Sequence, residues 1–180
     1  MIRELLWRAV ANIVTRPNIR YALVQRAERT PYTDITSADG TDVYMRRWWL
    51  FNPYGKDANG DPTPARWTWL PSIRIHWILR ADQDRDLHDH PWNARTIVLS
   101  GWYAEERPFD SPSPGWTSTV LKTRQSGYTG RLLFNQYHRI AAVSPGGVMT
   151  MFFTWRKRGT WGFLVDGKKV PWREYLGINP

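Results

Sequence analysis

A chain of 180 residues, 42% hydrophobic and 14% aromatic, is long enough to bury one sizeable core and too short for a second of similar size, so one domain spanning residues 1–180 is expected. The absence of Cys excludes a disulfide framework, a zinc ribbon and thiol catalysis, and leaves any metal to His and carboxylates. The net charge of +9 is unevenly placed, because residues 121–180 hold ten Lys or Arg against Asp166 and Glu174 alone; that favours an anionic partner, a nucleic acid or nucleotide among them, or simply keeps the chain in solution.

Residues 1–30 read as a helical N-terminal extension. Ile2, Leu5, Leu6, Ala9, Val10 and Ile13 recur at helical spacing, and after Pro17-Asn18 so do Ile19, Leu23, Val24 and Ala27. Thr30-Pro31 stops the second helix, since the residue before a proline is pushed out of the helical region. These apolar stripes are expected to pack on the exterior of a barrel or on a second subunit. The first eight residues interrupt their apolar side chains with charge too often for a signal peptide, and no segment approaches about 18 consecutive apolar residues. No membrane partner is therefore expected, and the protein reads as soluble and cytoplasmic.

From residue 43 the period changes. Residues 43–51, 72–79, 96–105, 117–122, 130–134, 139–143, 148–155 and 160–165 are short β-branched or aromatic runs, most of them separated by Gly, Pro, Asn or Asp clusters. This is an all-β pattern, a jelly roll or closed barrel over residues 43–172, because a parallel α/β sheet would need helices between its strands. Residues 53–66 and 107–116, with Pro108, Pro112 and Pro114 in the second, read as surface loops, either plain connections or lids.

The segment Leu87-His88-Asp89-His90-Pro91-Trp92 carries the chemistry. In a strand, residues two apart share a face, so His88 and His90 can present two imidazoles side by side while Asp89 points away. His138, just before the run 139–143, is placed to bring a third ligand across the barrel. Three neutral imidazoles leave coordination positions open, which suits a catalytic metal more than a structural one. His76, amid Ile75, Trp77 and Ile78, reads as a hydrogen-bonded core histidine or, less simply, a further ligand.

These residues resemble the cupin superfamily. Its first motif places Gly, His-x-His, Glu and a closing Gly at set spacings; His88, His90 and Gly101 match it, while Ala94 stands where the Glu would and Asp82 where the leading Gly would. Of the second motif His138 is present, with Asn135 in the place of its Gly, no Pro before it, and Ala142 where an Asn would follow. Asn is the non-glycine residue that best tolerates positive φ, so the turn can survive. The segments Gly101-Trp102-Tyr103-Ala104-Glu105-Glu106, Trp161-Gly162-Phe163 and Val170-Pro171-Trp172 are similar to those of bacterial and phage cupin-like proteins. The resemblance implies a cupin-like jelly-roll barrel, often dimeric, behind the two N-terminal helices. Without the Glu, the site is similar to that of thiol dioxygenases of the cupin class, which implies Fe(II) and oxygen; Ni, Zn, Cu or Mn are alternatives for three imidazoles.

On this reading the chain is a mononuclear Fe(II) oxygenase acting on a small anionic substrate. Glu105 either restores a carboxylate to the metal or is an exposed strand end, and Tyr103, on the same face, either bonds a metal-bound ligand or is a core Tyr. Arg80 and Arg95, close in sequence to the His pair, are the candidates to anchor a substrate anion, or else pair with Asp82, Asp84 or Asp86. The turn Arg156-Lys157-Arg158-Gly159 is a solvated tip or a phosphate contact. Two other readings stay open: a nucleic-acid or nucleotide-binding module using the basic, Trp-rich surface, and a non-redox isomerase or decarboxylase using the same metal.

Overall fold

The computed structural model describes residues 2–37, 40–58, 60–109 and 118–178. It opens with α1 (Ile2–Val14) and α2 (Pro17–Glu28). Pro17 sits at the start of α2, where its fixed φ is already helical and its missing N–H costs nothing. Numbered in chain order, the strands are β1 (Pro31–Thr36), β2 (Val43–Phe51), β3 (Ser72–Ile78), β4 (Leu87–His88), β5 (Trp92–Ser100), β6 (Trp102–Pro108), β7 (Thr119–Gln125), β8 (Thr129–Leu132), β9 (Arg139–Val143), β10 (Val148–Lys157), β11 (Gly162–Val165) and β12 (Lys168–Pro171), followed by a single turn, α3 (Trp172–Tyr175).

The fold is mostly β and every strand pair is antiparallel. One sheet has six strands in the order β1-β2-β3-β10-β5-β8; two smaller ones run β12-β11-β4 and β7-β6-β9. Among the described residues, the strand pairing between the two small sheets is a single antiparallel bridge between His88 and His138. The closed barrel expected from the sequence is therefore not formed as a continuous ladder. Of the expected runs, residues 96–105 divide into β5 and β6 at Gly101, whose φ of +75° turns the chain from the large sheet into a small one. A Cβ there would lie 2.5 Å from the Ser144 hydroxyl oxygen and 2.8 Å from the Gly147 carbonyl oxygen, so no side chain fits. Residues 110–117, with Pro112 and Pro114 of the expected second loop, lie outside the described residues.

The six-stranded sheet is buried on both faces. Its outer face packs Ile75, Ile97, Leu99, Met151 and Phe153 against Ala11 of α1 and Val24 and Ala27 of α2, and the Trp7 ring meets Phe153 edge-on at 5.0 Å. The expected stripe of α1 is not what packs there. Trp7, Ala11 and Val14 face the sheet, and Ile2, Leu5, Leu6 and Ile13 remain exposed. The ion pair of Glu4 with Arg95 (2.7 Å) is consistent with the rotation that the Trp7 contact sets. The inner face joins Met45, Ile78, Val98 and Val148 to Tyr103 and Ile140 of the β7-β6-β9 sheet. Each large apolar side chain taken from water in this way contributes about 1.5–3 kcal/mol. No described helix is long and apolar enough to cross a membrane.

Candidate metal centre

Of the two expected strand histidines only His88 lies in a strand; β4 ends there and His90 stands just beyond it. Asp89 between them does not face water. It is fully buried, its Oδ1 accepts the Gly162 N–H at 2.8 Å, and its Oδ2 accepts from Lys169 Nζ at 2.6 Å. The tripeptide is thereby tied to the first residue of β11 and the middle of β12, and the two flanking imidazoles inherit a fixed backbone.

His88 and His138 exchange both backbone hydrogen bonds, each N–H reaching the other's carbonyl oxygen at 2.9 Å. Directly paired residues on antiparallel chains project side by side, and the two rings stand 5.0 Å apart between centroids. His90 closes the triangle, 5.3 Å from the His88 ring and 5.2 Å from that of His138. One ligand nitrogen from each lies within 4.8 Å of the other two, the arrangement in which one ion can be held by all three.

The detailed geometry tests that possibility. His90 Nε2 and His138 Nε2 are 3.0 Å apart, and two basic nitrogens at that distance need a proton or a cation between them. Two ligand nitrogens each about 2.1 Å from one ion and about a right angle apart would be separated by about 3.0 Å. The donor set therefore fits a divalent metal. Burial first, then the positive field of His138, lowers the pKa of His88 to about 4; burial, reinforced by His138 and His88, lowers that of His90 well below the ordinary imidazole range. At neutral pH these two rings are uncharged, the form a metal ligand requires.

Glu105 stands behind this set. Its Oε1 accepts from His138 Nδ1 at 3.1 Å and from Arg107 Nη2 at 2.8 Å, and its Oε2 from Arg124 Nε at 2.9 Å. With Nδ1 of His138 turned to Glu105, its Nε2 is left facing His90, the second-layer arrangement typical of metal-binding histidines. Glu105 is 2% exposed. Burial would raise its pKa, but the hydrogen bonds from His138 and Arg107 outweigh it and hold the value at about 2. The carboxylate that the sequence offered as a ligand or an exposed strand end is thus neither exposed nor on the side of His138 that faces His90. On the far side of His88, Asp82 Oδ2 is 3.9 Å from Nδ1, too long for a hydrogen bond, and it accepts the Ile140 N–H at 2.7 Å instead.

The other expected site residues are placed elsewhere. Tyr103 packs in the inner core, where burial and then the Glu105 charge raise its pKa. Arg95 faces outward under α1, held by Glu4, by the Thr129 hydroxyl at 3.1 Å and by the Trp7 ring at 4.8 Å. Arg80 pairs with Asp42 at 2.5 Å beside Tyr44. Neither arginine has a described contact with the three histidines. His76 lies outside the cluster, buried against Phe152 at 5.0 Å and with no hydrogen-bond partner for its Nε2 among the described residues. In the basic tip, Lys157 pairs with Asp61 at 3.5 Å and the Arg158 N–H donates to the Pro91 carbonyl oxygen at 2.7 Å, beside the His pair. The sequence reading missed Arg74. It shares a face of β3 with His76 and is 3% exposed; its signal was an arginine alternating with isoleucines, a pattern that ordinarily marks a solvated face.

No family model and no curated protein sequence matches the chain. Among solved structures it is similar to Fe(II) HppE, with 10% identity over 68% of this chain and 55% of that one and a TM-score of 0.46. It is also similar to hydroxypropylphosphonic acid epoxidase from S. wedmorenis in complex with fosfomycin, with 10% identity over 62% and 51% and a TM-score of 0.43. A third is the formate complex of Lactobacillus farciminis oxalate decarboxylase, with 12% identity over 84% and 36% and a TM-score of 0.48. The chain spans about half the length of the first two and about a third of the last.

Proposed function

We propose that the chain is a metal-dependent enzyme of the cupin type, a mononuclear Fe(II) oxygenase acting on a small anionic substrate. The observation that carries the reading is the triangle of His88, His90 and His138 with two Nε2 atoms 3.0 Å apart. These three imidazoles would hold the ion, and a bound divalent metal would supply Lewis-acid polarisation and, as Fe(II), oxygen activation. The residues of this chain do the rest. Glu105 fixes the ring and tautomer of His138. Asp89 fixes the backbone between His88 and His90. Phe152, Phe163 and Trp92 stand around the rings and exclude water from one side.

The test is metal analysis of protein purified without chelator, followed by His88→Ala. Stoichiometric metal in the wild type and its loss in the variant are expected; full retention in His88→Ala would overturn the assignment. Oxygen consumption during turnover supports the oxygenase, and turnover without it would reduce the reading to an isomerase or decarboxylase on the same metal.

A further inference from the structure

The interior face of the six-stranded sheet carries Arg74 and Arg47, and among the described residues no carboxylate forms an ion pair with either. Arg74 stands directly opposite Trp49 on β2 and Phe152 on β10, and Arg47 directly opposite His76. The Arg74 guanidinium lies 5.2–5.6 Å from the centroids of Trp49, Tyr54, Trp92 and Phe152, and among the described residues no carboxylate is paired with it. A buried charge costs several kcal/mol unless something compensates it, and ring faces compensate only in part. Arg47 and, at the rim, exposed Lys56 sit over the same Tyr32 ring at 4.6 and 5.6 Å. Burial, and then the charge of Arg74, lowers the pKa of Arg47 to about 10, outweighing the attraction of Asp34.

Polar atoms without partners converge on the same place. Arg74 Nε, Tyr54 Oη, His76 Nε2, Trp92 Nε1 and Thr154 Oγ1 are all buried with no hydrogen-bond partner among the described residues. The Tyr54 and Trp92 rings lie beside the Arg74 guanidinium, and His76 and Thr154 belong to the same face of β3 and β10; buried polar groups are satisfied in more than about nine cases in ten, so this run of orphans points to a ligand. All five can donate a hydrogen bond, His76 Nε2 in one of its tautomers, and two of them, on Arg74 and Trp92, can only donate, which selects an acceptor-rich guest.

We propose that Arg74 anchors the oxyanion head group of a small ligand, a carboxylate or a phosphoryl group, inside the sheet, with Arg47 and Lys56 drawing it in from the rim. Tyr54 Oη and Trp92 Nε1 donate to its remaining oxygens. The Trp92 and Phe152 rings that flank Arg74 also flank His90, at 6.4 and 5.8 Å. An anchored anion therefore lies one ring's width from the histidine cluster. That it is a substrate rests on the metal reading above; that it binds does not.

Isothermal titration calorimetry tests this with acetate, inorganic phosphate and chloride, on protein as purified and on protein stripped with chelator. Saturable binding of acetate or phosphate that survives stripping is expected, and whichever binds more tightly tells a carboxylate ligand from a phosphoryl one. Arg74→Gln removes a charge-assisted contact and should weaken that binding about 10- to 100-fold while metal stoichiometry is retained. Lys56→Gln, an exposed change with no folding risk, should weaken it a few-fold and flatten its salt dependence. Chloride binding as tightly as both oxyanions, binding only when metal is present, or equal affinity in Arg74→Gln and Lys56→Gln would each overturn the proposal. Loss of metal in His88→Ala with anion binding intact separates failure of this inference from failure of the metal reading.

Discussion

Replacing Glu105 with Gln removes one negative charge from among two guanidinium groups and an imidazole while leaving side-chain volume almost unchanged. The carboxylate accepts from His138, Arg107 and Arg124 at 3.1, 2.8 and 2.9 Å. An amide offers one acceptor oxygen and brings two N–H groups, so at least one arginine then faces a donor. A hydrogen bond to a charged group contributes about 1.5–3 kcal/mol, and breaking a buried charge pair costs about 3–5 kcal/mol. Arg107 and Arg124 keep 25% and 17% of their side-chain exposure, so water recovers part of the loss. The low end, about 3 kcal/mol, is the expected destabilisation of Glu105→Gln. At about 2–4 °C per kcal/mol for a chain of this size, Tm should fall by about 6–12 °C in metal-free protein followed by circular dichroism. Metal affinity should fall about 10- to 100-fold in the same variant, because His138 loses the group that orients it. A Tm within about 2 °C of wild type would refute the argument that this carboxylate is the counter-ion of the cluster.

Three further outcomes follow from the same contacts. Asp89→Asn keeps the shape but faces Lys169 and the Gly162 N–H with a weaker acceptor, and should cost about 2–3 kcal/mol in urea unfolding; an unchanged midpoint would show that the tie to β11 and β12 is dispensable. Gly101→Ala places a methyl against Ser144 and Gly147 at a φ of +75°, and should cost about 3 kcal/mol or more or prevent accumulation of folded protein, whereas wild-type stability would contradict the turn described. The third concerns pH. The folded pKa of Glu105, about 2, lies below its ordinary 4.5, so this carboxylate contributes stability present above pH 4.5 and lost as pH falls toward 2, about 3 kcal/mol in all. Buried neutral His88, with a folded pKa of about 4 against 6.5, adds an earlier loss between pH 6.5 and 4. In metal-free protein, the stability difference between wild type and Glu105→Gln should shrink below pH 4.5 and stay constant above it; a constant difference down to pH 3 would be inconsistent with the depressed pKa.

Elements with a clean period were legible in the sequence: α1, α2 and the strands β2, β3, β9 and β10 fall where the spacing puts them. β1 was hidden because it begins on the proline that ends α2, and β4 because two residues carry no period. The histidines could be found from their spacing and a family likeness. The role of Glu105 could not, since it depends on the register that sets Glu105 opposite Ile140, one residue past the Arg139 that follows His138. Arg74 was lost for a different reason. Alternation along β3 separates two faces correctly but does not say which meets water, and here both are covered, one by helices and one by the opposing sheet. For the same reason nearness in sequence to the His pair singles out Arg80 and Arg95, which the fold pairs with Asp42 and Glu4.

The bridge between His88 and His138 has a consequence for how the protein comes apart. Among the described residues it is the one β-bridge between two three-stranded sheets, and both of its residues bring an imidazole to the same point. An ion held there would clamp a seam otherwise closed by these two backbone hydrogen bonds and by the bonds of Arg139 and Ile140 to residues 82–85. The amide protons of these two histidines should then exchange slowly with solvent while the ion is bound and quickly after it is stripped, ahead of the neighbouring ladders. A chelator would loosen this protein at a single stitch and leave the neighbouring ladders folded.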